Sequence, residues 1–140
     1  MTETEPAVPT RTVTRLIGIY HADGGILGEL RYVAGKLLGT AHCALCDITH
    51  AGVRRKHSWD AMAASLGVGI TLRHLNELDA ELESAVHRFG SPTVLAVLED
   101  GSLVEVLGPA DLDGLDGSVA RFDMALRNSM ARRGLALPEG

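Results

Sequence analysis

The chain has 140 residues, 46% of them hydrophobic and 22% charged, enough for one domain with one core but not for two of ordinary size. Its 13 basic and 18 acidic side chains leave a net charge of −5, and aromatic residues make up only 4%, which argues against a protein that grips phosphates or stacks on bases. No apolar run approaches the ~20 residues of a membrane-spanning helix, and the opening MTETEPAVPTRTVT lacks the regions of a secretory signal, so a cytoplasmic protein with no membrane or nucleic-acid partner is expected.

Residues 1–12 are polar, hold Pro6 and Pro9, show no period and read as a disordered tail. The run TRLIGIYH, residues 14–21, predicts a buried strand that Asp23-Gly24-Gly25 breaks. Ile26, Leu27, Leu30, Val33, Ala34, Leu37 and Leu38 then follow helical spacing, predicting a helix over 26–38 that stops near Gly39. Beyond the segment TAHCALCDITH, the basic run Arg54-Arg55-Lys56 reads as a solvated loop. Ser58 is placed to cap a short helix running to Leu66, with Gly67 and Gly69 behind it. Residues 69–75 alternate as a strand with Ile70, Leu72 and His74 on one face, and residues 79–89 predict a helix closed by Gly90. Ser91-Pro92-Thr93 leads into the apolar strand VLAVLE, Asp100-Gly101 signals a hairpin, and SLVEVLG returns. After Pro109 the turn-rich stretch ADLDGLDG precedes a last helix, on which Val119, Phe122, Leu126 and Met130 share a face. This order predicts an α/β sandwich around a mixed sheet.

Reactive side chains concentrate in His42-Cys43-Ala44-Leu45-Cys46-Asp47-Ile48-Thr49-His50. A helix beginning near Ala41 or His42 would put Cys43, Cys46, Asp47 and His50 on one side, and a dithiol at a helix N-terminus can close a disulfide while the dipole favours its thiolate. The same spacing offers two thiolates and an imidazole to zinc or copper(I), with His42 as a fourth ligand or as a cation beside a thiolate. Alternatively the cysteines are small buried hydrophobes. A second group, His74-Leu75-Asn76-Glu77, ends a predicted strand, and His21 and Asp23 end the first one. Strand carboxyl ends are where sites gather in open α/β sheets, although a satisfied core histidine explains His74 equally well. Glu29, one turn into the first predicted helix, is a further candidate base or ligand, whereas His57 and His87 read as surface positions. The crowd of Glu77, Asp79, Glu81 and Glu83 needs no more than a helix dipole. Asp23-Gly24-Gly25 lacks the dinucleotide fingerprint, Gly35-Lys36 is followed by Leu37 rather than Ser or Thr, and no GxSxG is present. Nucleotide and serine-hydrolase chemistry therefore find no support.

Taken together, GITLRHL, the 79–89 helix, Ser91-Pro92-Thr93, the VLAVLE and SLVEVLG strands and the last helix resemble the thioredoxin superfamily over roughly residues 68–133, with the CxxC in addition. The resemblance implies a single-domain three-layer sandwich with a mixed central sheet over 13–134, flanked by tails at 1–12 and 135–140, and a cis Pro92 packed beside the cysteine pair. The residues from Tyr20 to His50 also resemble a group of small bacterial proteins, a likeness that implies no mechanism.

Three functions follow as expectations. The first is thiol–disulfide exchange with protein thiols and disulfides, needing no cofactor: Cys43, the more exposed thiol, attacks, Cys46 resolves, His42 and the dipole lower the first pKa, His50 or Asp47 handles protons, and Pro92 shapes the groove. The second is a metal carrier or sensor binding zinc or copper through Cys43, Cys46, His50 and either His42 or His74, with a metal-exchange partner. The third is an interaction module whose cysteines are structural. Convergence of His50 and His74 on both sulfurs would favour metal, and a solvent-facing Cys43 would favour exchange. Two cysteines among leucines without polar neighbours would defeat both.

Overall fold

Strand β1, Arg11–Ile19, organises the main sheet because, among the described residues, three of that sheet's other four strands pair with it. The computed structural model describes residues 11–21, 43–51 and 54–138. The helix expected over 26–38, the turn at Asp23, Glu29 and His42 lie outside those residues. Around β1 the described elements are the ribbon strands β2 (His50–Ala51) and β3 (Arg54–Arg55), then β4 (Ile70–Arg73), β5 (Thr93–Leu98), β6 (Leu103–Leu107) and β7 (Leu135–Ala136). The helices are α1 (Ala44–Thr49), α2 (His57–Ala64), α3 (Ala80–Phe89), α4 (Pro109–Asp113) and α5 (Val119–Arg132).

The main sheet runs β4-β1-β5-β6 and is mixed: β1 is parallel to β4 and antiparallel to β5, and β5 is antiparallel to β6. Alternation along β1 divides the core. Leu16 and Tyr20 enter a cluster with Leu45, Ile48, Trp59, Phe122, Leu126 and Met130, fed by α1, α2 and α5. Ile17 and Ile19 enter a second cluster with Leu82 and Ala85 of α3 and with Leu95 and Val97 of β5. Being interior, β5 is buried at all six positions, which is why its sequence reads as a continuous apolar run rather than an alternation.

Local chemistry sets the helix ends. The Asp79 carboxylate accepts the Leu82 N–H at the start of α3, and Gly90 closes it at φ 87°, a left-handed angle that suits glycine. The Ser118 hydroxyl accepts the Arg121 N–H to start α5, whose Val119, Phe122, Leu126 and Met130 are all buried as their spacing predicts. The hairpin turn is held by Asp100, whose carboxylate accepts both the Ser102 N–H and its hydroxyl.

Several boundaries differ from the sequence reading. Arg11 and Thr12, placed in the tail, pair in parallel with Leu135 and Ala136, placed in the other tail. A two-residue strand has no period to read, and only its partner defines it. Helix α2 starts at His57 with Lys56 as its cap residue, without a side-chain cap, rather than at Ser58. The Lys56 N–H is already committed to the Thr49 carbonyl at 2.8 Å, which fixes an extended residue directly before the helix. The basic run is not wholly loop, since Arg54 and Arg55 pair with Ala51 and His50. The stretch after Pro109 forms α4, with proline in its first turn, Asp111 accepting the Gly108 N–H and Leu112 fully buried. Its one core residue gives no period. Finally, β4 ends at Arg73, because the Glu77 carboxylate accepts the His74 N–H and turns the chain into a short 3-10 helix at Leu75–Glu77.

Among the described residues no helix is long and apolar enough to cross a membrane. Since β1 and β4 are parallel and β5 runs against them, one edge of the sheet gathers the ends of β1 and β4 and the beginning of β5. That edge holds Tyr20, His21, His74 and the Ser91–Pro92 peptide, which is cis.

Candidate functional site

Helix α1 is only six residues long, and Cys43 is its cap residue, in an extended conformation one position before the helix. Leu45 and Ile48 pin the helix to the core, both fully buried. A side chain at Gly18 of β1 would stand in the way: a Cβ there would lie 3.2 Å from Leu45 Cδ2 and 2.9 Å from Leu72 Cδ2. The glycine thus lets the dithiol helix settle onto the strand whose end carries His21.

Three donors converge on Cys43 Sγ. The backbone N–H of His21 and that of Cys46 each donate at 3.3 Å, and the Cys46 thiol lies 2.6 Å away, donating to it. Here the sulfur plays the part a serine or aspartate oxygen ordinarily plays at a helix start. The consequence is a thiol whose pKa falls from an ordinary 9.0 to about 7. The Cys46 hydrogen bond lowers it most. Burial pushes it up, the two amides pull it down, and the Asp47 charge opposes ionisation. The depression is therefore explained by specific donors rather than by the dipole of so short a helix, and His42 lies outside the described residues.

The exposure of the two thiols is the reverse of the expectation. Cys43 is 0% exposed, and Cys46 is the half-buried one. The extended cap residue turns its sulfur toward the β1 end, where the His21 amide meets it, whereas Cys46, on the first turn of the helix, stays partly exposed at the edge of the core.

A second set of contacts surrounds the pair. The Tyr20 hydroxyl lies 2.9 Å from Thr49 Oγ1, and Thr49 Oγ1 lies 2.6 Å from His50 Nδ1. Burial holds the Tyr20 phenol well above its ordinary range, so it stays protonated and can donate. Its ring packs on the imidazoles of His74, centroid to centroid 4.9 Å, and His50, 6.0 Å. His74 Nδ1 is 2.9 Å from Glu77 Oε1, whose carboxyl is held below its usual range first by the His74 N–H and then by the ring. On the outside, His21 Nδ1 meets the Ser91 hydroxyl at 2.8 Å. His21 thus joins the buried sulfur, through its backbone, to the Ser91–Pro92 turn, through its ring. Pro92 is buried behind Ser91.

The structure accordingly brings Cys43, Cys46, His50 and His74 to one edge, but each imidazole has a neighbour of its own. Among the described residues, no three His, Cys, Asp or Glu side chains are grouped to hold a metal ion. Asp47 packs against Gly117, where φ is 70° and an added Cβ would lie 3.3 Å from the Asp47 carbonyl oxygen, so a glycine suits the close approach. His57 and His87 are exposed.

Tyr20, Thr49, Ser91 and the His21 amide were not singled out from the sequence. The only hint was position, Tyr20 and His21 closing a strand and Thr49 preceding His50. Thr49 is fully buried, and replacing it by valine leaves the Tyr20 hydroxyl without its partner. Thr49→Val is expected to destabilise the fold by about 1–3 kcal/mol, the cost of one buried polar group left unsatisfied. Denaturant titration checks it, and an unchanged midpoint would show that the Tyr20–Thr49 contact contributes nothing.

No family model, no curated protein and no solved structure matches this chain. The site geometry is therefore the ground for a functional reading.

Proposed function

We propose that the protein carries out thiol–disulfide exchange through Cys43 and Cys46. The observation that carries this reading is the convergence of three donors on Cys43 Sγ, which keeps a thiolate available near neutral pH. The second sulfur, at 2.6 Å, needs only a small rotation to reach the bonded separation of about 2.05 Å. In the reaction the dithiol loses two electrons and two protons, one S–S bond closes between Cys43 and Cys46, and a substrate disulfide leaves as two thiols. The reverse reaction oxidises a substrate dithiol. No metal or organic cofactor takes part.

The order of elements supports the likeness to the thioredoxin superfamily. A strand and helix, β4 and α3, lead to the Ser91–Pro92 turn, then the antiparallel pair β5 and β6, then α5. With α3 on one side of the sheet and α1, α2 and α5 on the other, the proposed architecture is a three-layer sandwich of that kind. A cytoplasmic setting fits a pair that cycles between thiol and disulfide, because surrounding thiols keep it reducible.

In the reduced protein, thiolate ultraviolet absorbance is expected to titrate with a midpoint at about 7 rather than 9.0. Because folding depresses this pKa, the thiolate stabilises the reduced fold fully above pH 9.0, and that contribution fades as the pH falls through about 7. Equilibration of the wild-type chain with oxidised glutathione should remove both free thiols and close the internal disulfide. A midpoint near 9.0 together with two surviving thiols would defeat the reading.

A further inference from the structure

We infer that the dithiol works in an order set by its burial: Cys46 takes the substrate sulfur, and the buried Cys43 serves first as its base and then as the resolving thiolate. The inference rests on the exchange reading above and assigns the roles within it. A disulfide is attacked along the line of its S–S bond, so the attacking sulfur must reach outside the fold. Cys43 Sγ cannot, being 0% exposed and enclosed by the His21 amide, the Cys46 amide and the Cys46 thiol. Cys46, on the first turn of α1, is only partly buried and is the more accessible of the two.

The contact between the two sulfurs supplies the chemistry. As Cys46 Sγ bonds to one sulfur of a disulfide RS–SR, its proton crosses to Cys43 Sγ, and RS⁻ departs. The products of this step are the mixed disulfide Cys46–S–SR, a neutral Cys43 thiol and one thiolate. The departing thiolate then takes the Cys43 proton, directly or through water. Cys43 S⁻, held by two backbone amides, attacks Cys46 Sγ, the S–SR bond breaks, and the second RS⁻ leaves to be protonated by solvent. One disulfide has been reduced to two thiols and one formed, with no other reactant. The depressed pKa of Cys43 keeps its sulfur ionised near neutral pH, so that it is available to take the Cys46 proton, and lets it give that proton up readily to an ordinary leaving thiolate. The substrate class that follows is a disulfide exposed enough to reach Cys46 at the surface.

The test uses single-cysteine variants of the full chain with oxidised glutathione as the probe, read by intact mass. At alkaline pH, where both thiols ionise, Cys43→Ser is expected to gain one glutathionyl group at least about tenfold faster than Cys46→Ser, because access alone then sets the rate. At neutral pH Cys43→Ser should react more slowly than the first step of the wild type, and the gap should close as the pH rises. A serine at position 43 can still cap α1, which favours folding of that variant. An independent measurement needs no variant: limiting alkylation of the reduced wild-type chain, followed by peptide mapping, should label Cys46 first. Faster adduct formation on Cys46→Ser, or first label on Cys43, would overturn the order while leaving exchange intact. Failure of the wild-type chain to oxidise at all would instead remove the exchange reading on which the order stands.

Discussion

Phe122→Ala is expected to cost about 3–5 kcal/mol, the range for removing a large aromatic from a core that cannot close over the space. Phe122 is fully buried in the first turn of α5, and its ring centroid lies 5.0 Å from that of Trp59 on α2. The two rings form the contact through which α2 and α5 share a core beneath the sheet. Their loss removes both area burial and the aromatic pairing. A domain of this size has a total stability of the order of 5–15 kcal/mol, so the variant should be marginal at room temperature. Chemical denaturation provides the measurement. A loss below about 1 kcal/mol would mean that the cavity collapses or fills, and that the Trp59–Phe122 contact is not central to the core.

Gly18→Val couples the fold to the chemistry. The added Cβ would stand 2.9 Å from Leu72 Cδ2 and 3.2 Å from Leu45 Cδ2, and the branched methyls reach further. Leu45 belongs to α1, so one way to relieve the crowding is to lift the dithiol helix away from β1. Overpacking of this kind costs about 1–3 kcal/mol. Its distinctive effect should fall on the thiol: as Cys43 Sγ moves from the His21 amide, one of its donors weakens, and the thiolate midpoint rises from about 7 toward 9.0. Loss of stability without any change in the titration would show that Leu72 yields instead of α1. Gly18→Ala should show both effects in smaller measure, because only a Cβ is added.

The parts of the fold that were legible in the sequence are those with a period or a strong local signal. Val119, Phe122, Leu126 and Met130 announced α5, the apolar run of β5 announced an interior strand, and Asp79 and Gly90 marked the two ends of α3. Elements defined by a distant partner were not legible. Leu135–Ala136 is a strand only because Arg11 and Thr12 lie beside it, and Pro109–Asp113 buries a single leucine. The site divides in the same way. The cysteine pair stood out by composition and spacing, and its placement on the sheet edge with His21 and His74 follows from strand direction. Which sulfur faces inward was not legible, because it depends on Cys43 being the extended cap residue and on α1 beginning at Ala44 rather than at Ala41 or His42. Neither was the donor from β1, since a backbone amide leaves no trace in the choice of side chain.

That last point bears on how the site tolerates sequence change. Two of the three groups that hold Cys43 Sγ are main-chain amides, at His21 and Cys46. The imidazole at position 21 is engaged with Ser91 instead, so the identity of that side chain is largely uncoupled from the electrostatics of the buried sulfur. Nineteen of the common amino acids carry the needed N–H, and proline alone lacks it. The tuning of Cys43 is thus encoded in the path of the chain, and it is inherited wherever the end of β1 and the start of α1 keep their approach. Any residue but proline at position 21 is therefore expected to alter the contact with Ser91 while the thiolate behind it keeps its character.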